Sequence, residues 1–455
     1  MPTLPGRPAP YRRWPFVVLY GLCAVLALVG CVPATLRTPA PDTAATTAPE
    51  APLTTVSPSR VSFMVFGDPA ELKAYQTIVD AFEAQNSDID VELIHVPSQG
   101  DYRKRLGADL AAGTAADVVL LNYRRVAPFA ANGGLVSLNP YLAASDTVNR
   151  SAFYPETLAA FTWKDNTWCL PQNLSSLVVY YNRDLFKAAG VPEPTADWTW
   201  DDFLTTAQAL TRDTDGDGAI DQYGLGTEVS FLRLAPFVWQ NGGEIVDNPN
   251  RPSVLTLDMP ESYAAFQWFV DLQTKHHVVP NAVAEEAQDS ESRFLNGATA
   301  MFLQSRRIVP TLRESAAFDW DVAPLPRGKQ AATVLHSDGY CMTSTTKNAD
   351  AAWRLIEFAN SPEGQTIVAG TGRTVPSIKS VAESPAFLDP NTKPAHAQVW
   401  LDALPYLHNM PIAATWMDVE SIVDSELERA YYGQATVDEA IQAAQTRAQE
   451  FLGGQ

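Results

Sequence analysis

Val61-Ser-Phe-Met-Val-Phe66, running directly into Gly67-Asp68-Pro69-Ala70-Glu71, is the stretch that decides the fold. Its first six residues form a compact apolar strand. Asp68 then stands where a helix N-cap is needed, Pro69 at the first helical position and Glu71 at the third, the pattern of a capping box opened by proline. Leu72, Tyr75, Val79 and Phe82 follow at helical spacing and give that helix a core-facing stripe. Further out, Ile89 to Val96 is a second strand, Tyr102 to Ala112 a helix and Asp117 to Leu121 a third strand. Strands alternating with helices pair in parallel through crossover helices, so this region is an α/β lobe.

A second run of the same kind begins near Ser175. Leu177 to Tyr181 and Ala300 to Leu303 are its strands; Asp201 to Leu210, Glu261 to Lys275 and Asp350 to Ala359 are helices. Two more helices close the chain. One runs from about Asp418 to Tyr432 and stops at Gly433, and the other opens on the capping box Thr436-Val437-Asp438-Glu439. No short internal repeat is present, which excludes solenoids and propellers. At 455 residues the chain exceeds one ordinary core and fits two lobes.

The composition is that of a folded protein, 46% hydrophobic and 18% charged. Acidic residues outnumber basic ones, 52 to 32, for a formal charge of −20. That balance excludes a nucleic-acid partner, which needs a basic footprint. The leader has its own character. Arg7, Arg12 and Arg13 precede an apolar run from Trp14 to Gly30, and Leu28-Val29-Gly30-Cys31 then places a cysteine after small and apolar residues. Residues 1–30 are expected to be a signal peptide ending at a bacterial lipobox, with Cys31 acylated and inserted in the bilayer. The alternative is an ordinary membrane anchor, for which the run is borderline in length. Residues 31–59, rich in Pro, Ala and Thr, are expected to be a disordered tether.

Two cysteines remain beyond the leader, Cys169 and Cys341. In an oxidising compartment they are able to pair; the reading preferred from sequence is that both are small buried apolar residues. The chain lacks a Gly-x-Ser-x-Gly elbow, a Walker loop, a dinucleotide-binding glycine fingerprint and a His-Glu-x-x-His motif. One segment carries metal chemistry: Asp213-Thr-Asp215-Gly-Asp217-Gly-Ala219-Ile-Asp221 follows the first nine positions of a calcium-binding EF-hand loop. Asp213, Asp215, Asp217 and Asp221 would give carboxylate oxygens and Ala219 its carbonyl. The twelfth position is Gly224 rather than glutamate, so the usual bidentate ligand is missing. Calcium as a structural clip is the expectation, against a solvated acidic turn.

Several further segments carry a resemblance when taken together. They are Gly113-Thr-Ala-Ala-Asp117-Val-Val, Asn132-Gly133-Gly134-Leu135-Val-Ser-Leu, Val179-Tyr180-Tyr181-Asn182-Arg183-Asp184-Leu185-Phe186 and Trp198-Thr-Trp200-Asp-Asp-Phe203. To these are added Val238-Trp239-Gln240-Asn241-Gly242-Gly243, Phe294-Leu-Asn-Gly297-Ala-Thr-Ala-Met301, Pro324-Leu-Pro326-Arg-Gly328 and Ser361-Pro-Glu363-Gly-Gln365. In this order they resemble the extracellular solute-binding proteins (family 1) of ATP-binding-cassette sugar importers, the group that includes maltose- and oligosaccharide-binding lipoproteins. The resemblance implies a type II periplasmic-binding-protein-like fold of two α/β lobes with a hinge between them. It places an N-lobe at 60–172 plus 336–372 and a C-lobe at 173–335 plus 373–455. It further implies a monomer that binds a small carbohydrate, closes on it and delivers it to permease subunits, which with their ATPase supply the energy. The protein would then not be an enzyme.

A sugar cleft needs aromatic faces for the rings and polar groups for the hydroxyls, and open α/β sheets place ligands at strand ends. The candidates are Gly67, Asp68, Asn122, Tyr123, Arg124, Gln172, Asn173, Asp338, Gly339 and Tyr340, with Trp239, Arg306, Arg307 and Trp416 on the C-lobe. In this family glycine and tryptophan often follow the Ala-Met strand, whereas this chain has Ser305-Arg306-Arg307. That departure opens an alternative ligand, an acidic sugar or a glycerophosphodiester. From a different class, a surface glycosidase using paired carboxylates is the other alternative.

Overall fold

The computed structural model describes residues 58–452; Cys31, the expected signal peptide and almost all of the expected tether lie outside them. The N-terminal part supplies β1 (Ser59–Phe66), β2 (Ile89–Val96), β3 (Val118–Asn122), the hairpin β4 (Thr162–Trp163) and β5 (Asn166–Thr167), and β6 (Cys169–Pro171). The middle supplies β7 (Asn173–Ser176), β8 (Val178–Asn182), β9 (Tyr223–Gly226), β10 (Thr299–Gln304) and β11 (Trp320–Ala323). Last come β12 (Thr333–His336), β13 (Asp338–Met342), β14 (Val375–Pro376) and β15 (Leu407–His408).

These strands form three principal sheets. The first has the order β2-β1-β3-β13-β6, with β1 parallel to β2 and β3 as the alternation predicts. Its fourth strand, β13, returns from late in the sequence and runs antiparallel to β3 and β6. The second sheet has the order β11-β8-β10-β9. The third, β14-β7-β12-β15, is made from segments that pass between the other two. One residue, Gln172, separates β6 from β7, and one, Ser337, separates β12 from β13. The chain therefore crosses from sheet to sheet at Gln172 and Ser337, and the residues beside them sit at strand ends.

Local sequence explains why the first lobe forms. Helix α1 (Pro69–Gln85) starts with the expected capping box: Asp68 accepts from the Ala70 and Glu71 backbones, and Glu71 reaches back to the Asp68 backbone. Ile78, Val79 and Phe82 are buried beneath it, each contributing about 1.5–3 kcal/mol. Helix α2 (Gln99–Ala112) begins earlier than expected, capped by Ser98. Its Tyr102 hydroxyl donates to Leu120 O at 2.8 Å and pins the helix across the sheet. Phe63, Tyr75 and Tyr340 meet edge to face within the same core.

Two expectations are corrected here. Cys169 and Cys341 are buried, and they are bonded to each other. The antiparallel pairing of β6 with β13 sets them directly opposite. That meeting of residues 172 apart follows from tertiary topology, which no spacing rule carries. Closing so long a loop stabilises the fold by roughly 2–5 kcal/mol. The helix expected from Asp418 starts two residues sooner, at Trp416, and this draws the tryptophan into the core.

Candidate ligand-binding cleft

The ends of the first sheet open on a cavity of about 690 Å³. Three of them converge there: β1 ends into Gly67, β3 ends at Asn122, and antiparallel β13 begins at Asp338, which is in register with Asn122. Gly67 has φ +131°, and a Cβ there would meet the Glu71 carboxylate, so glycine is required for the capping turn to close. Asn122 Nδ2 donates to Asp338 Oδ1 at 3.2 Å, and Asn122 Oδ1 accepts from Arg124 Nε at 3.2 Å. Asn173 Oδ1 accepts from the Asp338 backbone at 3.1 Å. The Ser337 hydroxyl donates to Asn173 O. The two crossings are thereby tied together at the cavity floor.

Around this floor stand charged groups that are matched within the protein. Arg373 pairs with Asp68 at 2.8 Å and Glu71 at 2.5 Å. Arg124 pairs with Glu420 of the helix Trp416–Tyr431. Arg307 pairs with Glu228 at 3.0 Å and with Glu291. Arg233 reaches Glu228 at 2.8 Å and Gln304 Oε1 at 2.9 Å. Burial outweighs the attraction of Arg373 and pushes the Glu71 carboxyl up to about 7. The Arg233 guanidinium, ahead of the opposing effect of burial, holds Glu228 down at about 2. Burial also raises the Asp338 carboxyl and lowers His336 well below its ordinary value.

The structure brings Gly67, Asp68, Asn122, Arg124, Asn173, Arg307 and Asp338 together on the cavity wall. It places the other candidates elsewhere, and packing is the reason in each case. Tyr123 is fully buried and its hydroxyl accepts from Met410 N. Gln172 lies beneath the floor, donating to the hydroxyls of Tyr75 and Tyr340, and Tyr340 is itself core. Gly339 faces Phe161 and the Leu170 carbonyl, with no room even for a Cβ. Trp239 is buried in a stack with His408, 14° from coplanar. Trp416 packs on Phe231 and is fully buried. Arg306 lies between the rings of Phe387 and Trp400 rather than at the cavity. Both expected stacking platforms are therefore core residues, and Phe66 is the aromatic that lines the cavity.

Sequence reasoning missed Glu228, Arg233, Glu291, Gln304, His336 and Arg373, all on the wall. One left a signal. Arg233 lies in Phe231-Leu-Arg233-Leu-Ala-Pro-Phe-Val-Trp-Gln240, a helix whose every residue is buried; a lone cation in such a run needs an internal partner. The other carboxylates and Arg373 look like ordinary surface charges in sequence.

The aspartate loop is separate. Asp213, Asp215 and Asp221 bring carboxylate oxygens within 4.8 Å of one another on an exposed surface. Asp217 is not in that group; its carboxylate accepts from Ala219 N at 2.7 Å. Backbone N–H groups of Gly218 and Gly216 hold Asp213 below the usual carboxylate range. Three hard oxygens suit calcium in kind and fall short of its usual six to eight. A second cavity, of about 790 Å³, lies beside β8 and β11. Its wall includes Val178, Val322, Leu325 and Val399, a more apolar lining that offers fewer groups for hydroxyls.

The profile of the family described as bacterial extracellular solute-binding protein matches residues 67–366. Among solved structures, an ABC substrate-binding protein from Listeria monocytogenes in complex with cycloalternan superposes with a TM-score of 0.81. It is 25% identical and covers 88% of this chain and 100% of its own. A cyclic α-maltosyl-1,6-maltose binding protein from Arthrobacter globiformis gives a TM-score of 0.73 at 22% identity, covering 88% of this chain and 100% of its own. The sn-glycerol-3-phosphate-binding periplasmic protein of Escherichia coli (strain K12) is 24% identical over 410 residues, spanning 84% of this chain and 89% of that relative. The neighbours share the two-lobed type II architecture expected from the sequence.

Proposed function

This chain belongs to the bacterial extracellular solute-binding protein family, and on that basis we propose that it is the carbohydrate-receiving component of an ATP-binding-cassette importer. As a member of a binding-protein family it is not an enzyme. The observation that carries the carbohydrate reading is the cleft floor, where Asn122, Asn173 and Asp338 present short, rigid, mutually hydrogen-bonded polar groups at the first sheet's ends. Such groups suit a ligand made of closely spaced hydroxyls, and about 690 Å³ lies within the usual range for a small-ligand site. With Phe66 as the aromatic on the wall, hydrogen bonding outweighs stacking, which favours a compact mono- or oligosaccharide. Sugar-complexed neighbours of the same fold support this reading. The glycerol-phosphate-binding relative supports a phosphorylated alternative, but every arginine on the wall already has a carboxylate partner.

Around this core we place three further elements. Cys31 is acylated and anchors the protein to the outer face of the cell membrane; among the described residues no helix is long and apolar enough to cross one. The lobes are 60–172 plus 336–372 and 173–335 plus 373–455, and they close as a monomer toward the permease. Calcium clips the loop 213–221. The test is a thermal-shift screen of the purified full chain against neutral sugars, uronates and glycerol 3-phosphate, with the sugars recovered and analysed. A neutral sugar is expected to raise the melting temperature and to be recovered unchanged. Turnover of a glycan would instead support the glycosidase, and a shift confined to glycerol 3-phosphate would support the phosphorylated ligand.

A further inference from the structure

The cleft wall carries five carboxylates, Asp68, Glu71, Glu228, Glu291 and Asp338. Four of them are ion-paired with Arg373, Arg233 or Arg307. Among the described residues Asp338 is the wall carboxylate outside any ion pair. The wall's arginines are each held by a carboxylate, Arg124 by Glu420 beyond the wall, and Arg373 and Arg124 act on Asp338 only through space. The direct hydrogen bonds of Asp338 are to neutral groups, with Asn122 Nδ2 at 3.2 Å and its own backbone N–H held by Asn173 Oδ1. The wall's carboxylates outnumber the arginines that pair with them, and Asp338 is the one of them without an ion pair, seated at the floor where the two crossings meet.

We propose that Asp338 sets the charge specificity of the cleft: its carboxylate accepts hydrogen bonds from hydroxyls of a neutral sugar and excludes ligands that carry a carboxylate or phosphate at that position. This rests on the carbohydrate reading and adds to it the class of sugar and the residue that selects it. The physical argument is one of matching. A hydroxyl donated to a carboxylate makes a charge-assisted bond, stronger than one between neutral groups. An anionic ligand group at the same place would meet a like charge in a poorly screened site, with no free guanidinium to offset it.

The test is calorimetric titration of the full chain and its Asp338→Asn variant. The probes are pairs of a neutral sugar with an anionic counterpart: glucose with glucuronate, galactose with galacturonate, and maltose with maltose 1-phosphate. For at least one pair the parent protein is expected to bind the neutral member at least tenfold more tightly than the acidic one. In Asp338→Asn neutral-sugar affinity should fall by roughly 10- to 100-fold, the loss of a charged hydrogen bond, while the preference over the acidic partner narrows at least fivefold. Asp338→Ser, which removes the charge with less bulk, should narrow the ratio as well and guards against misfolding of the first variant. An unchanged neutral-to-acidic ratio in both variants overturns the role of Asp338 and leaves the carbohydrate reading standing. Absence of binding to every sugar by the parent protein overturns that reading and this inference together.

Discussion

Two regions of this protein gather carboxylates, and they neutralise them by different means. In the cleft, Arg373 serves Asp68 and Glu71, and Arg307 and Arg233 share Glu228. In the loop 213–221, backbone N–H groups of Gly216 and Gly218 serve Asp213, while Thr214 N and Oγ1 serve Asp221. The contrast follows from solvent. A recessed wall is poorly screened, so charge has to be met by charge before any ligand arrives. An exposed loop is screened by water and holds its acids with neutral donors. The cleft is thus an electrostatic surface set in advance, and the loop's acids are held by local neutral donors.

The largest expected effect breaks the cleft side of that contrast. Arg373→Met strips the common counter-ion from Asp68 and Glu71 and should cost about 3–5 kcal/mol in urea denaturation near neutral pH. A loss below about 1 kcal/mol would mean that the wall's charges behave like surface charges. The loop side comes next. Calcium at a hundred times its dissociation constant should stabilise the chain by about 2.7 kcal/mol relative to chelator, and Asp213→Asn with Asp215→Asn should abolish the effect. No calcium-dependent shift in melting temperature would make the loop a solvated turn.

The remaining effects concern pH, and they have opposite signs within the cleft. Glu228 is depressed to about 2, so its stabilisation is present above the unfolded value near 4.5 and is lost as pH falls toward 2. Glu71 is raised to about 7; its contribution is present below 4.5 and is lost as pH rises through 7. Relative to the parent protein, Glu228→Gln should therefore recover stability on acidification, and Glu71→Gln should recover it on raising the pH from 4.5 to 8. Asp213→Asn should follow the sign of Glu228 with smaller amplitude. Urea midpoints at pH 3, 5 and 8 check all three, and equal signs for Glu71 and Glu228 would contradict the assigned environments.

The elements themselves were legible because they rest on local rules. The strand Val61–Phe66, the Asp68–Glu71 capping box and the closing helix after Thr436 all follow from spacing within a few residues. The wall was legible only where it coincides with strand ends, as at Gly67, Asn122 and Asp338. Adjacent Arg306 and Arg307 show why the rest was hidden. One is buried between Phe387 and Trp400, while the other faces the cavity with Glu228 and Glu291. Nothing in the dipeptide says which way each points, because their partners lie in distant segments. Trp239 and Trp416 have the chemistry for stacking on sugars, but core packing takes both. The Cys169–Cys341 bond depends on β13 inserting beside β6, a topological fact with no local trace.

On the proposed reading this cleft, and not another surface, receives the carbohydrate. The most direct measurement is a crystal structure of the protein with the neutral sugar that gives the largest thermal shift. That sugar is expected at the ends of the first sheet, with hydroxyls on Asp338 and Asn122 and with the Arg373 pairs to Asp68 and Glu71 intact. A sugar found instead in the more apolar cavity beside β8 and β11, or a ligand that displaces those carboxylates from their arginines, would contradict it.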